Sequence, residues 1–213
     1  MKIKAVVFDL GKVLVDFDYG IAARKLALQS KSPVDEIQSV LDQSLLLSRY
    51  ESAEMTTQEF FTAVRERIDF AGTFNAFADA FADIFTEMPD MTRLHDEVRE
   101  QGLATFVLSN TNEIAIGHVR RSFPFFSRFT DYIFSFEHAV LKPHERIYEI
   151  VEARSGCRGG EILFLDDKLE NAEAGARRGW QAICHHSSGE SIRLVRALIG
   201  GEIDSSQDRL RPL

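Results

Sequence analysis

Cysteine is scarce. Only Cys157 and Cys184 occur in 213 residues, too few for a disulfide framework and not spaced as a metal-binding set. No uninterrupted apolar stretch approaches the ~20 residues that a membrane-spanning helix needs. The apolar run behind Lys2 and Lys4 is broken by Asp9, too soon for the core of a signal peptide. Positive charge is also in short supply: 25 Lys and Arg stand against 33 Asp and Glu, giving a net charge of −8. With no basic cluster to offset that balance, general binding to nucleic acid or to an anionic membrane is excluded. Internal repeats and low-complexity tracts are absent. These absences describe a soluble, cytoplasmic chain.

What is present is ordinary for a globular protein, 45% apolar and 27% charged residues. The length fits one large domain or a core with a smaller companion. The C-terminal half alternates apolar runs of strand length with helical patterns: strands over 104–109, 132–134, 162–166 and 180–184, and helices over 112–121, 144–154, 168–178 and 188–199. Gly102, Gly156, Gly159, Gly160 and Gly179 fall between these elements, as stop signals should. Such alternation predicts an α/β fold with a doubly wound parallel sheet.

Residues 17–88 read instead as helices only, over Tyr19–Ser30, Pro33–Leu46, Thr57–Asp69 and Phe74–Phe85. Phe70, Phe74, Phe77, Phe81 and Phe85 fall at helical spacing and predict the interior of a helical bundle. The expected division is therefore a core of 1–16 and 89–200, a helical unit of 17–88, and a polar tail of 201–213.

Chemistry concentrates where strands end. Val6-Val7-Phe8 runs into Asp9 and a turn containing Gly11; Phe106-Val107-Leu108 runs into Ser109-Asn110; Ile162-Leu163-Phe164-Leu165 runs into Asp166-Asp167. Leu141-Lys142-Pro143 stands between the last two. In an open α/β sheet, ligands bind at the carboxyl ends of the strands. Each residue also has a plainer reading. Asp9 could cap its turn, Ser109 or the acid pair could cap the following helix, and a lysine before proline is usually on the surface. His138, His144, His185 and His186 offer no ligand set and read as surface or packing residues, and Cys184 reads as a small core residue.

The order acid, hydroxyl, lysine, acid pair resembles the four motifs of the haloacid dehalogenase-like hydrolase superfamily, and the match covers most of the chain. The resemblance implies a Rossmann-like core with a small all-helical cap over the site. Arg49-Tyr50-Glu51-Ser52-Ala53-Glu54-Met55-Thr56 is similar to a turn segment of capped relatives, with Ala53 where glycine is more usual. By resemblance, Asp9 is the nucleophile and a Mg²⁺ ligand, joined at the metal by the Gly11 carbonyl and Asp167. Asp166 is assigned to the metal through water or to pairing with Lys142. Ser109 and Lys142 join Asp9 as catalytic residues; Ser109, Asn110 and Lys142 bind the substrate phosphate, and Asn171 lies nearby.

The implied reaction is Mg²⁺-dependent hydrolysis of a small phosphorylated metabolite, such as a sugar phosphate, through an aspartyl-phosphate. A monomer or weak homodimer is expected, with no nucleic-acid or membrane partner. One departure stands out: many phosphatases of this superfamily carry an acid–base aspartate two residues after the nucleophile, where this chain has Gly11. Lys12, Asp16, Asp18 or a residue of the cap could substitute. The alternatives are a metal-independent 2-haloacid dehalogenase, against which the acid pair argues; a phosphomutase, which would lean on the acid missing at Gly11; and a non-catalytic member that binds phosphate or a partner.

Overall fold

The computed structural model describes residues 2–42 and 44–200; the tail expected over 201–213 lies outside the described residues. Five parallel strands form the main sheet in the order β5-β4-β1-β6-β7. They are β1 (Ala5–Phe8), β4 (Ala104–Ser109), β5 (Asp131–Phe134), β6 (Ile162–Asp166) and β7 (Gln181–Cys184). β1 is central. Its alternate residues bury into opposite layers, Val6 and Phe8 into one core and Ala5 and Val7 into the other. This period of two in a fully apolar strand is the mark of a sheet covered on both faces.

Helices α6 (Pro89–Glu100), α7 (Glu113–Ser122) and α11 (Ser188–Gly200) cover the Val6–Phe8 face through residues such as Met91, Leu94, Ile116 and Val195. Helices α9 (Glu145–Ser155) and α10 (Leu169–Arg177) cover the other through Ile147, Tyr148, Val151 and Ala174. The four-residue α8 (Ser135–His138) follows β5. The doubly wound α/β expectation is met. From β1 the chain reaches β4 and β5 on one side and then crosses to β6 and β7 on the other. The strand order thus reverses around β1, and a crevice opens at the carboxyl ends of β1, β4 and β6.

The segment between β1 and β4 departs from the all-helix expectation in two places. Val15–Phe17 (β2) and Phe85–Glu87 (β3) pair antiparallel, so a small ribbon joins the helical segment to the sheet layer. Phe85, expected at the end of a helix, belongs to this ribbon and packs edge-on against Phe17. The expected helix over Pro33–Leu46 is instead two, α2 (Val34–Leu41) and α3 (Leu45–Glu51). The break is chemical: Ser44 adopts extended backbone and its Oγ accepts from Leu47 N, starting a new helix there.

With α1 (Tyr19–Ala27), α4 (Thr57–Arg67) and α5 (Phe74–Ala82), these helices form a core of their own. Phe60, Phe77 and Phe81 are fully buried at its centre, with Phe77 stacked on Phe81 at 5.6 Å. Burial of each such ring stabilises the unit by about 1.5–3 kcal/mol. The bundle-interior reading therefore holds for Phe77 and Phe81, and for Phe70, which packs on Phe77 from outside the helix.

The end of α3 has a specific geometry. Ala53 N donates to Tyr50 O and Glu54 N donates to Arg49 O, the crossed pair of a Schellman turn. That turn needs a left-handed residue, and Ala53 supplies it at φ 57°. An L-residue in this region costs about 1 kcal/mol relative to glycine. Ala53→Gly is therefore expected to raise stability by several tenths of a kcal/mol to about 1 kcal/mol, measured as a shift of the denaturant midpoint at unchanged slope.

Candidate active site

Asp9 sits one residue beyond the end of β1, where Phe8 pairs with Val107 on one side and Leu165 on the other. Its N–H donates to Leu165 O at 2.8 Å, which fixes its height at the crevice. Asp9 Oδ1 accepts from Leu10 N at 2.7 Å and faces Lys142 Nζ at 2.8 Å. Among the described residues Oδ2 has no hydrogen-bond partner. The Asp9 carboxylate is thus held by one oxygen and presents the other.

Lys142 is buried, donates to Asp166 Oδ2 at 2.6 Å and to Leu108 O at 2.9 Å, and is ion-paired with Asp9. It is no surface lysine. Burial opposes its charge, but Asp166 and Asp9 outweigh burial and lift its pKa above the ordinary lysine value. Two hydrogen bonds, to Leu108 O and Asp166 Oδ2, anchor the Lys142 ammonium on the wall of the cavity. Its ammonium places a positive charge 2.8 Å from Asp9 Oδ1.

Asp166 is fully buried and spent on internal bonds. Oδ2 takes Lys142, while Oδ1 accepts from Lys168 N and Asn171 Nδ2, both at 2.9 Å. Of the two roles expected for it, the structure places Asp166 in the pairing with Lys142. The helix-cap reading of the acid pair is not met: Lys168 is the N-cap of α10, no side chain caps that helix among the described residues, and the backbone N–H that Asp166 Oδ1 accepts from is the Lys168 one ahead of it. Asp167 is half-buried on the cavity wall, and no side-chain hydrogen bond or ion pair engages it among the described residues. Cys184, half-buried rather than core, touches the Asp167 carbonyl at 3.7 Å.

Asn110 was expected to bind substrate. It lines the cavity, and its amide clamps the Lys142 backbone, receiving Lys142 N on Oδ1 at 2.7 Å and donating from Nδ2 to Lys142 O at 3.0 Å. This bond pair, across 32 residues of sequence, positions the lysine. Ser109 is buried on the cavity wall, and its Oγ has only a weak 3.4 Å contact with Asn110 O. It caps nothing: Asn112 caps α7 by accepting from Ala115 N. The hydroxyl is free to turn toward a ligand. Of the histidines, His144 caps α9 and His185 bonds Ser191, so neither faces the site.

Oxygens of Asp9, Asp166 and Asp167 lie within 4.8 Å of one another. Three carboxylates share one ammonium, an excess of two negative charges. Burial, with the neighbouring carboxylates adding to it, makes those charges costly to hold. Burial pushes Asp9 up to about 7, with Lys142 opposing and Asp166 adding, and burial and Asp166 also raise Asp167. The buried Asn171 Oδ1 has no partner among the described residues. Hard oxygen donors, an excess of two charges and a vacant acceptor fit a divalent cation that keeps some of its water. The Asp9 carboxylate, Asp167 and the Gly11 carbonyl, which share the cavity wall, are groups that could hold it.

At Gly11 the missing acid has been replaced by bulk. A Cβ placed there would lie 2.8 Å from Phe17 Cε1. The ring fills the space a longer residue would use, and Lys12 Nζ stands 4.6 Å over it. Above Asp9 opens a cavity of about 470 Å³, walled by Phe17, Asp18 and Tyr19, by Asp42, Ser44, Leu47, Ser48 and Glu51, and by Lys168.

A family model for haloacid dehalogenase-like hydrolases matches residues 3–179. The chain belongs to that family. Among relatives of this haloacid dehalogenase-like hydrolase is phosphatase MT3486 of Mycobacterium tuberculosis, 24% identical over 90% of this chain and 91% of its own length. Mouse acyl-CoA dehydrogenase family member 10 is 27% identical over 99% of this chain, which spans only 20% of that protein. A family enzyme from Bacteroides thetaiotaomicron, solved with magnesium and inorganic phosphate, shares the fold. It superposes at a TM-score of 0.76 with 22% identity, over 85% of this chain and 93% of its own.

Proposed function

We propose that this hydrolase is a Mg²⁺-dependent phosphatase of a small phosphorylated metabolite, with Asp9 as nucleophile and the helices of 17–88 as a cap over the substrate. The observation that carries this reading is the cluster of Asp9, Asp166 and Asp167 around Lys142, two negative charges in excess at the nucleophile. A 2-haloacid brings a carboxylate, which such a cluster repels, and its dehalogenation has no use for a cation cage. A phosphate monoester could bind through a cation that the cluster would hold. The named phosphatase relative and the magnesium and phosphate of the Bacteroides enzyme point the same way.

Asp9 Oδ2 attacks phosphorus while Leu10 N and Lys142 fix Oδ1. Ser109 Oγ donates to an oxygen of the transferring group and holds that group in line while the bond to the leaving oxygen breaks and its electron pair goes to that oxygen. A bound divalent cation would be held by Asp9, Asp167 and the Gly11 carbonyl, and would neutralise charge between nucleophile and phosphate. Water then attacks the aspartyl-phosphate and regenerates Asp9. Ser48, Tyr19 and Asp42 give the far wall hydroxyl and carboxylate groups, suited to a hydroxylated substrate such as a sugar phosphate.

The test is release of inorganic phosphate from p-nitrophenyl phosphate with Mg²⁺, followed by a panel of sugar and nucleotide phosphates. Halide release from a 2-haloacid without metal, and no phosphate release, would overturn the reading. Metal binding should also titrate. Below about pH 7 the cation must expel the proton that burial keeps on Asp9, so apparent Mg²⁺ affinity is expected to climb from pH 5 to 7 and level above it. Calorimetry in buffers of different ionisation enthalpy would count that proton; a flat affinity across the range would contradict it.

A further inference from the structure

Hydrolysis of an alkyl phosphate needs a proton for the leaving oxygen and a base for the attacking water, and Gly11 can supply neither. The nearby substitutes are committed elsewhere. Lys12 bonds Asp16 and the Phe17 carbonyl, Asp16 is exposed and held by Lys12, and Asp18 Oδ1 caps α1 through Gly20 N at 2.7 Å. Two carboxylates from the helical unit remain on the cavity wall, Asp42 at the end of α2 and Glu51 at the end of α3.

Glu51 differs from Asp42 in what surrounds it. It is the last helical residue before the Schellman turn, so the turn that strains Ala53 also fixes its backbone. Among the described residues no hydrogen bond or ion pair engages its carboxylate, which gives it no structural task. It lies in the electrostatic field of Lys168 and Lys142, the lysine that touches the nucleophile. Tyr19 and Asp42 share its part of the wall.

We propose that Glu51 is the general acid–base of this enzyme, supplied by the cap in place of the side chain absent at Gly11. The assignment rests on the phosphatase reading of Asp9. In the first step Asp9 Oδ2 bonds to phosphorus, the bond from phosphorus to the leaving oxygen breaks, and the Glu51 carboxyl gives that oxygen its proton. In the second step water bonds to phosphorus and gives a proton to the Glu51 carboxylate. The Asp9–phosphorus bond breaks, and phosphate and the starting protonation state are restored. The environment suits both halves: burial pushes the Glu51 carboxyl up to about 7, against the pull of Lys168 and Lys142. A group that is acid and then base works best with its pKa near the working pH.

Pre-steady-state kinetics with saturating Mg²⁺ would test this. p-Nitrophenolate leaves without a proton, so Glu51→Gln is expected to release one equivalent per enzyme in a burst and then turn over about 10²–10⁴-fold more slowly than the parent. An alkyl phosphate should show no burst and at least as large a loss, and the limb of the pH–rate profile near 7 should vanish. The burst itself reports a folded, nucleophilic site. Glu51→Asp, one methylene shorter, should recover part of the rate and of the pH limb. Loss confined to KM, parental kcat on the alkyl phosphate, a folded Glu51→Gln without a burst, or the burst appearing in Asp42→Asn instead would each overturn the assignment. Such failures leave the parent an active phosphatase, whereas a parent that hydrolyses no phosphate ester takes down both readings.

Discussion

Asp9→Asn is expected to lower turnover by on the order of 10⁴-fold or more, the scale seen when a nucleophile or its essential partner is removed. The substitution is nearly isosteric. An amide oxygen can still accept from Leu10 N, and Lys142 keeps its bonds to Asp166 and Leu108 O. What is lost is a negative, nucleophilic oxygen at the tip of the central strand. The metal-free protein should not suffer for it. Three carboxylates crowd one ammonium at this site, and burial already drives the Asp9 pKa up to about 7, so the charged form of Asp9 is held at a cost. Neutralising it should leave the melting temperature of the metal-free protein unchanged or higher, while weakening Mg²⁺ binding. Phosphate release and a melt with and without Mg²⁺ would check both halves. Near-parental activity in Asp9→Asn would remove Asp9 from the mechanism. A collapse of the melting temperature would mean that its charge holds the fold, contrary to the pKa shift.

The parts of this site visible in the sequence are those carried by strand ends. An apolar run that stops at Asp9, at Ser109 or at Asp166 announces both the strand and the polar residue that its carboxyl end presents. The roles of those residues came from motif order rather than from spacing. What was hidden depends on contacts between distant segments. That Phe17 fills the space beside Gly11, that Asn110 clamps Lys142, and that Glu51 shares a cavity with Asp9 are tertiary facts without a local pattern. The ribbon of β2 and β3 escaped because three-residue strands carry too little alternation to register. Helix α6 is a different case: Pro89 at its first position and the buried Met91, Leu94, His95 and Val98 are a start signal and a helical stripe, readable but diluted by six charged neighbours. In α3, a single serine cap at Ser44 outweighed the continuous helical pattern on which the expectation over 33–46 rested.

Removing divalent cations should silence the enzyme as completely as removing the nucleophile. Asp9, Asp166 and Asp167 with Lys142 leave two negative charges uncompensated, and a phosphate dianion brings two more. At an effective dielectric near 20, each pair of like unit charges about 5 Å apart repels by about 3 kcal/mol. Each ~1.4 kcal/mol left in the barrier costs tenfold in rate. Several such pairs exceed any turnover that could be measured, so EDTA is expected to reduce phosphate release to background and excess Mg²⁺ to restore it. Asp167→Ala separates the cation from the fold. The Asp167 carboxylate bonds nothing else among the described residues, and burial with the neighbouring Asp166 already raises its pKa. The substitution should therefore weaken Mg²⁺ affinity at least tenfold, lower activity most at limiting Mg²⁺, and leave the metal-free melting temperature unchanged or higher. Full turnover in chelator would mean that the acid cluster serves no cation. The same carboxylate attacking carbon, with halide as the leaving group, would then be the chemistry to assay.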